Sequence, residues 1–190
     1  FKKYIYLEPT SSIAYNNLAL ILTKQKKYNE AIENFLIALK FEQKSKTYFN
    51  LALVYEEMGK EKKAIYNYKE ALKIDSNVQN GRLRLASALV ASGQGQQASQ
   101  ILLQELRDDP GNVQALLLHA DVLAETGRTN EALMKLHRVL ELEPANVEAH
   151  ILAGTFAMED QHWEEAFIAW GLVRRLQPSH PTACLYLAQT

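Results

Sequence analysis

Apolar residues recur along this chain with the period of an α-helix. In one well-defined stretch, Tyr48, Leu51 and Tyr55 are three and four positions apart, and a second such series begins at Ala64, after Gly59. Side chains with this spacing share one face of a helix, so each series predicts an amphipathic helix. Glycine accepts the left-handed backbone conformation that ends a helix, so Gly59 predicts the turn between them. The pattern therefore predicts a helical hairpin.

The hairpin pattern repeats every 33 or 34 residues. Its most regular feature is an alanine in each second helix, at Ala31, Ala64, Ala98, Ala132 and Ala166. A small residue precedes each of these alanines by twelve positions, at Ala19, Ala52, Ala86, Ala120 and Gly154. A large apolar residue follows each by four positions, at Phe35, Tyr68, Leu102, Leu136 and Trp170. Small side chains allow two helices to approach closely, so the repeat predicts tightly packed helix pairs.

Residues that end or begin helices also recur at fixed positions of the repeat. The glycines expected to end first helices are Gly59, Gly93 and Gly127. Prolines close the last three repeats at Pro110, Pro144 and Pro178. A side-chain oxygen just after these prolines can cap the next helix, and the candidates are Asn112, Asn146 and Ser179.

This frame resembles the tetratricopeptide repeat family, whose 34-residue units carry large, Leu, small, aromatic, Ala, aromatic, Ala and Pro at fixed positions. The unit that matches best has Tyr48, Leu51, Ala52, Tyr55, Ala64, Tyr68 and Ala71. The resemblance implies an all-α fold, a right-handed superhelical solenoid of antiparallel helix pairs. Five complete units are expected at about 12–44, 45–78, 79–112, 113–146 and 147–180, with partial helices at 1–9 and 181–190.

The resemblance also implies a function. It predicts a non-catalytic scaffold without a cofactor, which binds a peptide or helix of a protein partner in a concave groove formed by the first helices. The groove residues that the family pattern implies are Asn16, Leu20, Lys24, Phe49, Leu53, Glu56, Leu83, Ser87, Leu117, Asp121, Ile151 and Thr155. The alternative for any one of them is packing against a neighbouring helix.

One subgroup of the family grips the terminal carboxylate of chaperone tails through lysine, asparagine and arginine at set positions. Asn50 and Arg84 match two of those positions, but Asn16 and Leu20 stand where the leading lysine and asparagine belong. The resemblance to this subgroup is therefore incomplete. A structural role for Asn50, hydrogen-bonding to backbone between units, is the expectation.

Basic residue types change abruptly along the chain. Of 14 lysines, 13 lie at or before Lys73, whereas all 7 arginines lie at or after Arg82. Lysine and arginine have nearly equal helix propensity, so folding gives no reason for this division. We hypothesise a fusion of two repeat fragments with a seam near residues 77–81. One natural reading frame that contained both halves would contradict it.

Other functional classes have weaker support. The lysines at the turns could contact phosphates, but glutamates intersperse them and the net charge is −1, so nucleic acid is not expected as a partner. No segment approaches the roughly 20 apolar residues of a membrane-spanning helix, so no membrane partner is expected. His180 and Cys184 could share a helix face as base and nucleophile, although Pro181 favours a helix start there. His150, Asp160 and His162 could in principle bind a metal, but they lack a compact metal-ligand spacing.

The ends of the chain suggest an alternative to peptide binding. The predicted partial helices would leave apolar faces that could stack on copies of the same chain, as in a structural or engineered self-assembling repeat. A mass that rises with concentration in sedimentation equilibrium would favour this homo-oligomer. A constant 21.6 kDa would favour the groove as the working surface.

Overall fold

The computed structural model describes residues 8–189, and these residues form eleven α-helices and no strand. The prediction of an all-α fold is confirmed. The partial helix predicted at 1–9 falls almost entirely on residues 1–7, outside the described part. None of the described helices is both long enough and apolar enough to cross a membrane.

The chain divides into two compact units, residues 1–97 and 98–190. In the first unit, α1 packs on α2, α3 on α4, and α5 on α4. These helices span Ser12–Lys24 (α1), Tyr28–Phe41 (α2), Ser45–Glu57 (α3), Glu61–Ile74 (α4) and Gly81–Ala91 (α5).

Helix α6 (Gly95–Asp108) begins at the end of the first unit and continues into the second. Within the second unit α7 packs on α8, α9 on α10, and α10 on α11. The bounds are Val113–Glu125 (α7), Thr129–Leu142 (α8), Val147–Glu159 (α9), Trp163–Leu176 (α10) and Pro181–Gln189 (α11). Two core clusters lie here, one among α7, α8 and α9 around Leu123 and Leu136, the other around Trp170 and Val173.

The predicted turns form where the glycines stand. Gly59, Gly93 and Gly127 have φ of 65°, 73° and 74°, the left-handed conformation that reverses the chain after α3, α5 and α7. The same repeat position holds Lys26 and Gln161, whose φ values are 59° and 62°. Side chains with a Cβ are strained in this region, so these two turns are less favourable than the glycine turns.

Two of the three predicted helix caps are confirmed. Asn112 accepts a hydrogen bond from the Ala115 N–H (3.1 Å), and Asn146 accepts one from the Ala149 N–H (2.9 Å). The prediction for Ser179 is wrong. His180 caps α11 instead, because its Nδ1 accepts from the Ala183 N–H at 3.3 Å. Asn112 and Asn146 each lie two residues after the proline of their repeat, and the residue two positions after Pro178 is His180.

The small residues of the first helices are buried. Ala19, Ala52, Ala86 and Ala120 are fully enclosed. Gly154 is more confined, since a Cβ built on it would lie 2.8 Å from Nε1 and 2.9 Å from Cε2 of Trp170. The largest of the repeating apolar side chains therefore faces the smallest of the repeating small residues.

Candidate binding cleft

An open cleft of about 510 Å³ lies in the first unit, bordered by α3, the loop between α4 and α5, and the first turn of α5. We call it the α3–α5 cleft. Two of the predicted groove residues, Phe49 and Leu53, lie one helical turn apart on α3 and both line it. The cleft also includes Asn50 and Arg84, the two residues that matched the carboxylate-binding pattern.

The apolar side of the cleft is fixed by packing beneath it. The ring of Phe49 lies 5.5 Å from the ring of Tyr68 on α4, in a tilted arrangement that aromatic pairs favour. Tyr68 is fully buried, so it cannot move aside without opening the core. Phe49 and Leu53 remain partly exposed. They therefore present a supported apolar strip to the solvent.

Side-chain amides form much of the opposite wall. Asn77, Gln79 and Asn80 project from the loop after α4, and this loop has a defined shape. Asp75 Oδ1 accepts a hydrogen bond from the Asn77 N–H at 3.0 Å, and Asn80 adopts a left-handed φ of 59°. An amide can both donate and accept, so this wall can pair with either group of a peptide backbone.

Sequence reasoning missed this loop. It treated residues 77–81 as a seam between fragments, not as part of a binding surface. The signal that could have identified it is three amide side chains within four residues of a short connection, because binding residues are often on loops held by a rigid scaffold.

Asn50 contributes an unused hydrogen-bond donor. Its Nδ2 is buried and has no hydrogen-bond partner among the described residues, so the expected bond from this amide nitrogen to backbone is not formed. A buried donor without a partner costs about 1–3 kcal/mol of stability. Asn50 lines the α3–α5 cleft, so rotation of its amide toward the opening would let a carbonyl oxygen of a ligand supply the partner.

Glu56 is held by two neighbours beside the cleft. The Tyr68 hydroxyl donates to its Oε2, and Arg84 Nη1 donates to its Oε1 at 3.0 Å. Burial, and then the hydrogen bond to Glu56, raise the pKa of Tyr68 far above its ordinary value, so the hydroxyl stays protonated. The pairing also neutralises Arg84, so the second match to the carboxylate-binding pattern is already occupied by a carboxylate of this chain.

The other predicted groove residues of the first unit do not join the cleft. Asn16 lines a separate cavity of about 180 Å³ beside α1 and the start of α3. Leu20 is partly buried and Lys24 is exposed at the end of α1. On α5, Leu83 is partly buried and Ser87 is exposed.

The four predicted residues of the second unit differ in accessibility. Leu117 on α7 is only 6% exposed and belongs to the core cluster around Leu123. Asp121 is partly buried. On α9, Ile151 packs against the core cluster around Trp170, and the Thr155 hydroxyl donates to the Ile151 carbonyl at 2.9 Å.

His180 and Cys184, the candidate catalytic pair, each make a contact with the backbone at the start of α11. His180 Nδ1 accepts the capping hydrogen bond of α11, and Cys184 Sγ contacts the Pro178 carbonyl at 3.3 Å. Neither contact joins the two side chains. In the part of the chain described, no three metal-ligating side chains cluster closely enough to hold an ion. His150 instead lies 3.0 Å from the Pro144 carbonyl through its Nε2.

One buried titratable group was not anticipated. His119 on α7 is 2% exposed, and its Nε2 lies 2.9 Å from the Ser99 hydroxyl of α6. Burial, reinforced by the charges of Lys135 and Arg128, lowers the pKa of His119 to about 4. It is therefore neutral at physiological pH, and its Nδ1 has no hydrogen-bond partner among the described residues.

Three family models match the chain, and each describes a tetratricopeptide repeat. The matched segments are residues 10–77, 55–122 and 118–181. Together they extend without a gap from residue 10 to residue 181. No curated protein sequence matches the chain significantly.

Many solved structures share the fold. YrrB, described as a TPR protein with an unusual peptide-binding site, matches with a TM-score of 0.83 at 22% identity, over 100% of this chain and 98% of that one. MamA from Desulfovibrio magneticus gives 0.82 at 15% identity, over 90% and 97%. Pseudomonas aeruginosa PilF gives 0.77 at 17% identity, over 100% and 86%. At these identities the likeness shows the fold alone.

Proposed function

Because the chain belongs to the tetratricopeptide repeat family, we propose that it is a protein-interaction scaffold whose α3–α5 cleft binds an extended peptide segment of a partner. The single observation that carries this proposal is the pairing of an apolar strip, Phe49 and Leu53, with a wall of side-chain amides. An extended peptide presents alternating side chains and backbone polar groups, which need both kinds of surface.

The unpaired Nδ2 of Asn50 refines the proposal. If the Asn50 amide turned toward the cleft, a peptide carbonyl that bonded to Nδ2 would satisfy this donor, and binding would recover stability that the free protein lacks. This gain would be specific for a hydrogen-bond acceptor at that point. An apolar ligand that only covered Phe49 would leave the donor buried and unpaired.

The charge around the cleft favours a segment from within a chain over a terminal carboxylate. Arg84 is already paired with Glu56 at 3.0 Å, so a carboxylate ligand would have to compete with Glu56 for it. The other charged side chains on the lining, Lys46 and Asp75, have opposite signs. Neither sign of ligand charge is therefore strongly preferred, and backbone contacts dominate recognition.

YrrB, which shares the fold, is a TPR protein with a peptide-binding site, and this supports a peptide as the ligand here. The proposed role involves no catalytic residue and no cofactor. Binding alone would account for the apolar strip, the amide wall and the buried donor.

A library of random peptides displayed on phage tests the proposal. The library is selected on the wild-type protein, and the enriched peptides are then measured against F49E/L53E by fluorescence anisotropy. The matched control is F167E/I168E on α10, where both apolar side chains are more than half exposed. Like F49E/L53E, this control replaces one phenylalanine and one aliphatic residue with glutamate, but at positions far from the cleft residues in the sequence. Circular dichroism checks that both variants remain helical.

We expect enriched peptides to lose at least about tenfold in affinity for F49E/L53E and to bind the control as they bind wild type. Equal binding to F49E/L53E and wild type would refute the cleft as the site. Failure of any peptide to be enriched over an unselected pool would refute peptide binding itself.

A further inference from the structure

A second concave surface lies in the first unit, between the second helices α2 and α4. This furrow has a volume of about 650 Å³, and residues of α3 form its floor. We call it the α2–α4 furrow. It shares no lining residue with the α3–α5 cleft. Nothing in the proposed peptide-binding role uses it.

The furrow has an apolar base with exposed apolar edges. Leu51 and Tyr55 on α3 are almost fully buried and close the bottom. Leu36 on α2 and Tyr66 on α4 stand at the two edges, and they are 45% and 60% exposed. Apolar side chains of this size on both edges of one groove mark a surface that can bury a partner.

The charges that border the furrow are all positive. Lys40 on α2 and Lys62 and Lys63 on α4 line it, and no aspartate or glutamate does so among the described residues. Lys63 Nζ lies 5.4 Å above the centre of the Tyr55 ring, which holds this cation over the groove.

Glu70 on α4 lies near the furrow but pairs with a lysine outside it. Glu70 is close enough to Tyr48 to raise the pKa of its hydroxyl, after burial and the charge of Tyr66. The Glu70 carboxylate is 3.9 Å from Lys73 Nζ, outside the furrow lining. Among the described residues, the charged side chains that line the furrow are therefore all lysines.

We propose that the α2–α4 furrow docks an acidic amphipathic helix of a partner protein. The apolar face of such a helix would cover Leu36 and Tyr66, and its carboxylates would lie beside Lys40 and Lys62. A groove between two helices can accept a third through leucine side chains spaced by three and four residues. Complementary charge would orient the helix and accelerate its association.

The furrow combines charge and apolar surface, and this combination favours an acidic amphipathic helix over a nucleic acid or a purely apolar helix. A nucleic acid would contact the lysines but would leave the apolar floor without a partner, and its affinity would not depend on Leu36 or Tyr66. An apolar helix without acids would cover the floor but would leave three ammonium groups beside it. The acidic amphipathic helix satisfies both halves of the furrow.

The probe is a fluorescein-labelled helical peptide with leucines along one face and glutamates along the other. Its partner probe carries lysine in place of each glutamate. Fluorescence anisotropy at low ionic strength measures both peptides against wild type, K40E/K62E and L36S/Y66S. The matched control is K26E/K27E, which makes the same charge change at the turn before α2, away from the furrow lining.

We expect the glutamate probe to bind wild type at least about tenfold more tightly than the lysine probe. K40E/K62E and L36S/Y66S should each weaken the glutamate probe about tenfold, whereas K26E/K27E and F49E/L53E should not. Equal weakening by K26E/K27E would reduce the effect to general charge and overturn the proposal. Loss of binding in F49E/L53E would place the probe in the α3–α5 cleft instead.

Two other occupants are tested in parallel. Sedimentation equilibrium of the protein alone would detect a dimer, and a dimer that L36S/Y66S abolished would assign the furrow to a second copy of the chain. A single-stranded oligonucleotide that displaced the glutamate probe and bound L36S/Y66S unchanged would assign the lysines to a polyanion. Either result would overturn the acidic helix. Failure of the glutamate probe to bind wild type would do so as well, and it would leave the α3–α5 cleft untouched.

Discussion

The close approach of Gly154 and Trp170 predicts that the effect of G154A on the free energy of unfolding depends in sign on the residue at position 170. Replacement of Gly154 by alanine removes glycine from the interior of α9, which should stabilise the helix by about 1 kcal/mol. The same substitution places a Cβ 2.8 Å from Nε1 and 2.9 Å from Cε2 of Trp170, distances at which atoms must move apart. Overpacking of this kind typically costs about 1–3 kcal/mol.

Trp170 has little freedom to relieve the overlap. Its side chain is 2% exposed, its Nε1 lies 3.1 Å from the sulfur of Met158, and its ring lies 6.4 Å from that of Tyr186. The cost of the overlap should therefore exceed the gain in helix propensity. We expect G154A to lower the free energy of unfolding by about 1 kcal/mol.

In a W170F background the sign should reverse. Phenylalanine is smaller than tryptophan, and the same repeat position holds Phe35 in a unit whose small residue is Ala19. Without the indole, G154A should raise the free energy of unfolding by about 1 kcal/mol, so the coupling between the two sites is about 1–3 kcal/mol.

Urea titration of all four proteins, followed by helical circular dichroism, measures this double-mutant cycle. Because repeat arrays can unfold in parts, hydrogen exchange of the α9 amides provides a local measurement of the same change. If G154A stabilised both backgrounds equally, Trp170 would be free to move and the steric reasoning would be refuted. The equivalent substitution A120G should cost at least about 1 kcal/mol, because it combines the loss of helix propensity with the loss of a buried methyl group.

Three further predictions concern single residues. The pKa of His119 is lowered from 6.5 to about 4, so between these pH values the unfolded chain binds a proton that the folded chain does not. The free energy of unfolding should therefore fall by up to about 3 kcal/mol as the pH drops through this window. H119L should abolish that loss in pH-dependent urea titrations. Replacement of Gln161 by glycine should raise the melting temperature by relieving a left-handed turn worth about 1 kcal/mol, whereas G127A should lower it by a similar amount. Replacement of Asn50 by leucine should increase stability by about 1 kcal/mol, since it removes an unpaired buried donor, and should weaken peptide binding in the anisotropy assay.

Each of these three has an outcome that would contradict it. A pH profile of H119L that followed wild type between pH 6.5 and 4 would assign the loss to other groups. The carboxylates whose pKa values are lowered, Glu42, Glu131 and Glu141, lose their ion pairs only as pH falls below 4.5. A melting temperature unchanged by Q161G would mean that the turn is unstrained. A destabilised N50L would mean that Asn50 has a partner in solution.

Sequence periodicity predicted the helices because it reports packing directly. An alanine every 33 or 34 residues indicates where two helices must touch, and every one of these alanines is fully buried. The turns at Gly59, Gly93 and Gly127 followed from conformational preference alone. The cap of α11 was mispredicted because oxygen-bearing Ser179 was preferred to His180, whose ring nitrogen can also accept.

The candidate site was harder to predict, because position in a repeat does not determine exposure. Phe49 and Leu117 occupy the same place in their repeats, yet Phe49 lines a cleft and Leu117 is 6% exposed in a core cluster. What distinguishes them is the neighbouring structure. After α4 the chain forms an amide-bearing loop over residues 75–80, whose shape depends on the Asp75 turn and on the left-handed Asn80.

If both proposals hold, the two surfaces of the first unit separate two recognition tasks on one fold. The α3–α5 cleft combines an apolar strip with amides and balanced charge, while the α2–α4 furrow combines an apolar base with lysines alone. They share α3, which contributes Phe49 to one and Tyr55 to the other. A helix can serve both because residues 49 and 55 point in different directions, so a change in one surface need not alter the other. Independent losses of binding in F49E/L53E and K40E/K62E would establish this separation, whereas a loss of both ligands in either variant would show that α3 couples them.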